Sequence, residues 1–149
     1  MKYKIRMGII LGALIGCFFL IKALNQEIWD ANYDLLRKEV LSIDQSVETV
    51  RLIDVTPFEW DIAYFFDPYT PAKEIYKTVG YEWDRISATV SEGMNQIVFL
   101  NNGEVVCYVY GYPSNNGFGI FYEGSSLKND HDLNFRVSRE KDVVTLNKE

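Results

Sequence analysis

Gln96-Ile97-Val98-Phe99-Leu100-Asn101-Asn102-Gly103-Glu104-Val105-Val106-Cys107-Tyr108-Val109-Tyr110 is the stretch that decides the fold. Asn102-Gly103 is the strongest short hairpin signal, because both central residues of a type I′ turn need positive φ and these two tolerate it. β-branched and aromatic residues fill both arms, as strands favour. A two-residue turn pairs Asn101 with Glu104, so facing positions keep a constant sum of 205. Val98, Leu100, Val105, Cys107 and Val109 then share one face, and Ile97, Phe99, Val106, Tyr108 and Tyr110 the other. Both faces are apolar. That predicts a hairpin in mid-sheet, its aliphatic face beneath a helix and its aromatic face partly open.

Upstream, Phe58 to Asp67 alternates. Phe58, Trp60, Ile62, Tyr64 and Phe66 point one way, with Glu59, Asp61, Ala63, Phe65 and Asp67 opposite. Thr70 suits an N-cap, Pro71 a first helical residue and Gly80 a C′ position, which predicts a short helix over 71–79. Residues 25–48 carry two apolar stripes at helical spacing, Leu24-Ile28-Ala31-Leu35 and Leu36-Val40-Ile43-Val47, and predict a longer helix. Strands are expected at 50–55, 118–122, 133–137 and 143–146, with polar loops at 113–117 and 123–132 and an ambiguous stretch at 81–93. The resulting fold class is α+β: an N-terminal transmembrane helix followed by an antiparallel sheet domain with helices on one face.

The start of the chain has a different character. Met7 to Leu24 is an apolar run of 18 residues with a single charge, Lys22. At about 1.5 Å per residue a helix of this length is just enough for a ~30 Å hydrocarbon core. Bases precede it and acids follow, so the positive-inside rule expects a cytoplasmic N-terminus and residues 25–149 outside the cell membrane. Residues 1–24 are thus read as an anchor and 25–149 as one extracytoplasmic domain. Leu14-Ile15-Gly16-Cys17 offers a second version, a lipoprotein signal acylated at Cys17, although the apolar run continues past the cysteine. Gly8, Gly12 and Gly16 form a smooth stripe that suits homodimerisation within the membrane.

The outer domain carries 11 bases against 21 acids, a net charge of −10. This disfavours nucleic acid, which needs clustered Lys and Arg, and suits a basic protein partner. Cys17 and Cys107 do not form a disulfide framework.

Little in the sequence points to catalysis. His131 is the only imidazole, it lies in a polar run, and no G-x-S-x-G elbow accompanies it. Asp130-x-Asp132-x-Asn134 begins like a calcium loop but has Phe135 where Gly is needed and Lys141 where Glu is needed. No metal, no cofactor and no enzymatic activity are therefore expected. Glu59 and Asp61, two apart on a strand, have roughly the 6.6–7 Å separation that glycoside hydrolysis uses. They carry the alternative of an envelope hydrolase or carbohydrate-binding module.

Aromatic residues number 19 in the outer domain, many at alternate strand positions. Tyr and Trp give large rigid contact areas with a polar tip. Glu59, Asp61, Tyr108, Tyr110 and Tyr112 are accordingly the candidate binding residues.

The run Phe58-x-Trp60-Asp61-x-x-Tyr64-x-Phe66-x-Pro68-Tyr69, with Gln96-Ile97-Val98-Phe99 and Asn102-Gly103 after it, resembles a group of uncharacterised, anchored bacterial envelope proteins. The resemblance covers about half of the outer domain. The layout of an anchor plus a helix-flanked sheet also resembles membrane-bound immunity proteins that neutralise secreted toxins. Together these imply a non-enzymatic, anchored binding protein with a protein partner, immunity- or inhibitor-like.

Overall fold

A computed structural model describes residues 26–148. The anchor at 7–24, the glycine stripe Gly8, Gly12 and Gly16, and Cys17 lie outside the described residues. Among the described residues no helix is long and apolar enough to cross a membrane.

The architecture is α+β, built on two four-stranded sheets. The first contains β2 (Ile62–Phe65), β3 (Asn95–Asn101), β4 (Glu104–Gly111) and β6 (Ser126–Lys128), in the order β4-β3-β2-β6. The second contains β1 (Thr49–Arg51), β5 (Phe118–Tyr122), β7 (Asn134–Glu140) and β8 (Val143–Lys148), in the order β1-β7-β8-β5. Helix α1 spans Ile28–Ser42 and α2 spans Ala72–Val79.

A single antiparallel sheet with helices on one face is therefore too simple. The strands after Gly117 turn Phe118, Ile120, Phe135, Val137, Val144 and Leu146 inward, and these need an apolar face to bury against. Ile97, Phe99, Cys107 and Val109 of the first sheet supply it, so the two sheets share one core. β5 enters the second sheet parallel to β8. β3 is buried along almost its whole length, because its opposite face is covered too. There Val98, Leu100, Val105 and Tyr108 pack under Ile75 and Val79 of α2 and Ile86 of the 81–93 segment.

The hairpin forms where expected, with Asn102 at φ 51° and Gly103 at φ 81°. Its register does not stay constant. Leu100 faces Val105, but Phe99 faces Cys107, leaving Val106 as an extra residue in β4. This bulge exchanges the faces beyond it. Cys107 and Val109 join Ile97 and Phe99 between the sheets, while Tyr108 and Tyr110 join Val98 on the outer side. β4 is also an edge strand, and α1 lies along it.

Three other expectations shorten, and the expected loop at 123–132 contains β6, which pairs with β2. The strand expected at 50–55 is formed only at Thr49–Arg51, since Leu52–Val55 tightens into a 3-10 turn that buries Leu52 and Val55. The strand over 58–67 is formed only at Ile62–Phe65. Trp60 turns inward against Phe99, with ring centres 5.4 Å apart, and donates its indole N–H to Thr56 Oγ1 at 2.8 Å. The alternation thus reverses at Asp61, placing Trp60 in the shared core and Ile62 in the outer cluster. The helix over 25–48 ends at Ser42. Just beyond it, Asp44 Oδ1 accepts from the Ser46 amide at 2.8 Å, and Arg139 of β7 donates to the Ile43 and Asp44 carbonyls at 3.2 and 2.8 Å. A cation thus satisfies the Ile43 carbonyl that the finished helix leaves open.

Candidate aromatic groove

Three elements bring rings together at the β4 edge of the first sheet, Tyr33 also meeting Phe118 of the shared core at 5.9 Å. α1 contributes Trp29 and Tyr33, one turn apart and therefore on one helix face. β4 contributes Tyr108 and Tyr110, which share a strand face because they are two apart. The 81–93 segment contributes Trp83 and Arg85. Trp29 meets Trp83 edge to face at 5.4 Å, and Trp83 meets Tyr108 edge to face at 5.4 Å. Tyr108 and Tyr110 stack at 5.9 Å. Each such pair adds about 0.5–1.5 kcal/mol beyond burial, so the array holds its shape without a ligand.

Polar tips lock it further. Tyr108 Oη accepts from Gln96 Nε2 at 2.9 Å and from the Ser87 amide at 3.3 Å. Tyr110 Oη donates to the Ala88 carbonyl at 3.0 Å. At the rim, Glu27 accepts from Trp29 Nε1 at 2.6 Å and pairs with Arg85 at 2.6 Å. The Trp29 hydrogen bond, then Arg85, hold the Glu27 carboxyl below its ordinary range. Burial pushes the Tyr33 and Tyr108 phenols up, so both stay neutral at physiological pH.

Trp29, Asp30, Tyr33, Arg85, Tyr108 and Tyr110 line a groove of about 290 Å³ between these elements. That is at the lower limit for a small-molecule site and suits an inserted side chain better than a whole metabolite. Ring faces are electronegative, Asp30 adds a carboxylate, and the cation already in the lining, Arg85, is neutralised by Glu27 at 2.6 Å, so the groove has room for a further cation. No family model, curated protein or solved structure matches the chain. The groove therefore has to be read from its own chemistry.

The sequence candidates divide. Tyr108 and Tyr110 lie in the groove; Tyr112, 36% exposed, lies just past β4 and does not line it. Glu59 and Asp61 are at the other end of the sheet. Asp61 accepts from the Asn102 amide at 2.6 Å and so braces the hairpin turn, roughly 20 Å of strand from Tyr110. Its carboxylate is engaged in the fold, and Glu59 is exposed. Trp29, Asp30, Tyr33, Trp83 and Arg85 were not among the sequence candidates. The Trp29/Tyr33 spacing on a helix was the available signal; Trp83 and Arg85 sit in the stretch with no clear periodicity.

Other chemistry is sparse. Cys107 is fully buried, and burial pushes its thiol up, opposite to what a nucleophile needs. Among the described residues no group of three or more His, Cys, Asp or Glu stands ready to hold a metal. Asp132 is directed to Arg51 at 3.6 Å.

Proposed function

We propose that this chain is a single-pass, non-enzymatic binding protein of the bacterial envelope, immunity- or inhibitor-like, that recognises a basic protein partner outside the cytoplasm. Residues 7–24 span the membrane, the N-terminus is cytoplasmic, and residues 25–149 face outward. The observation that carries this reading is the aromatic groove with Asp30 at its rim, in a domain of net charge −10. A Lys or Arg side chain of the partner enters the groove, its charge over the rings and its donors toward Asp30. Tyr108 and Tyr110 form the groove floor, and Trp29 and Tyr33 its helix wall.

The location constrains the partner. Trp29 is only five residues past Leu24, so the groove lies within roughly 18 Å of the bilayer even if the link is extended. A partner must approach close to the membrane surface, as a protein crossing or attacking that membrane does. The hydrolase alternative gains no support, because Asp61 is committed to the hairpin turn.

The test combines topology with capture. Protease added to spheroplasts should remove residues 25–149 and leave the cytoplasmic end intact. Detergent extracts should then yield a basic protein with the wild-type chain and lose it with Trp29→Ala plus Tyr110→Ala. A protected C-terminal domain, or equal capture by the variant, refutes the proposal.

A further inference from the structure

The second sheet presents its outward face on the other side of the sandwich. Strand pairing aligns Thr49, Arg136, Asn147 and Phe121 in one row across β1, β7, β8 and β5. Ser138 and Thr145 form the next row, opposite Gly119. The inward partners of these residues, Phe135, Val137, Val144 and Leu146, are buried in the shared core, so the face is held rigidly.

Around Arg136 its charge runs against the rest of the domain. A hollow of about 270 Å³ is lined by Thr49, Asn134, Arg136, Asn147 and Lys148, with no acid. The Arg136 guanidinium stands in the outward row beside the hydroxyl and amides, while Lys148 follows the inward phase of Val144 and Leu146 at the strand end. Arg51 and Arg85 pair with carboxylates, whereas Arg136 makes no side-chain hydrogen bond or ion pair among the described residues. A guanidinium fork beside two amides matches an oxyanion.

A second hollow, of about 700 Å³, lies on the same face and includes Phe121, Ser138, Thr145 and, at its far end, Glu140 beside Lys141. Gly119 shapes it: a Cβ there would stand 2.7 Å from Pro113 Cγ and 2.9 Å from Phe121 Cε2. Only glycine lets those two rings lie down over the strand. An isolated inorganic anion would use the first hollow alone. A chain that continues into the second meets hydroxyls and a ring.

We infer that this face binds an anionic, hydroxyl-rich chain, a glycan or polyol polymer carrying carboxylate or phosphate groups, with Arg136 on the oxyanion and Phe121 against the neighbouring unit. The row spans about 14 Å across three strand spacings, room for more than one unit. The inference is independent of the aromatic groove, which lies on the other sheet.

Calorimetric titration of the full chain in zwitterionic detergent tests it, with three probes: oligogalacturonate, poly(glycerol phosphate) and neutral maltotetraose. Either anionic chain should bind at low salt and weaken at high salt, with maltotetraose silent. The tighter of the two identifies carboxylate or phosphate as the natural group. Arg136→Gln should weaken binding about tenfold or more, and Arg136→Lys should restore part of it. Arg136 is exposed, so the unfolding midpoints of its variants should not move. No binding of either anionic probe, binding unchanged by Arg136→Gln, or equal binding of maltotetraose overturns the inference.

Discussion

Asn32 of α1 donates its side-chain amide to the carbonyl of Val106, the extra residue of the β4 bulge, at 2.8 Å. Both residues are buried, at 8% and 7% exposure. The bulge would otherwise leave an unpaired carbonyl on an edge strand under a helix. Asn32→Leu removes the donor, orphans that carbonyl and should cost about 1–3 kcal/mol. Urea unfolding reads this directly; an unchanged midpoint would show that the contact is dispensable.

Tyr108 joins the 81–93 segment to the sheet through its hydroxyl. Tyr108→Phe keeps the ring and its edge-to-face contact with Trp83 but deprives Gln96 Nε2 and the Ser87 amide of their shared acceptor. Stability should fall by about 1–2 kcal/mol, with faster amide exchange at Ser87 and its neighbours before any global opening. Exchange at Ser87 equal to wild type would refute this role.

Asp61→Asn tests whether the strand carboxylate belongs to a site or to the hairpin. The turn amide of Asn102 loses a charged acceptor, so stability should drop on the order of 1 kcal/mol while partner capture is unaffected. Lost capture at full stability would return Asp61 to the binding surface.

Stability should depend on pH at both extremes. Glu27, Asp44 and Asp54 have folded values held below the ordinary 4.5 and 3.8, by the Trp29 indole, the Ser46 hydroxyl and Arg51 respectively. A depressed carboxylate contributes above its unfolded value and loses that contribution as pH falls through the folded one. Acid destabilisation should thus begin near pH 4.5 and deepen below it, modestly because all three groups are exposed. Cys107 and Tyr108 are raised by burial above the ordinary 9.0 and 10.0. Their contribution is complete below those values and declines as pH rises past them, because only the unfolded chain ionises readily. Cys107→Ala should flatten the decline that begins near pH 9 and leave the one near pH 10. Chemical unfolding across pH 3–11 measures both limbs.

The Asn102-Gly103 turn, the α2 stop at Gly80 and the alternation of Phe135 and Val137 with Asn134 and Arg136 were legible in the sequence, because each rests on local chemistry or a clean period of two. The bulge was not. Val105 and Val106 are identical residues, so nothing local tells which of them is the extra one, and only Asn32, 74 residues upstream, supplies its partner. The groove inherits that limit. Tyr108 and Tyr110 were visible as aromatic strand positions, but the bulge decides that they join Trp29 and Trp83 instead of Phe99. The pairing of β5 with β8, like Trp83 and Arg85, depends on tertiary contacts without a sequence period.

Photo-crosslinking in intact cells tests the central claim most directly. A photoreactive residue placed at position 110, in the groove, is compared with one at position 59, at the far end of the sheet. The account predicts a discrete adduct with one basic extracytoplasmic protein from position 110, abolished by Trp29→Ala, and none from position 59. No adduct from position 110, or the same adduct from both positions, would contradict it.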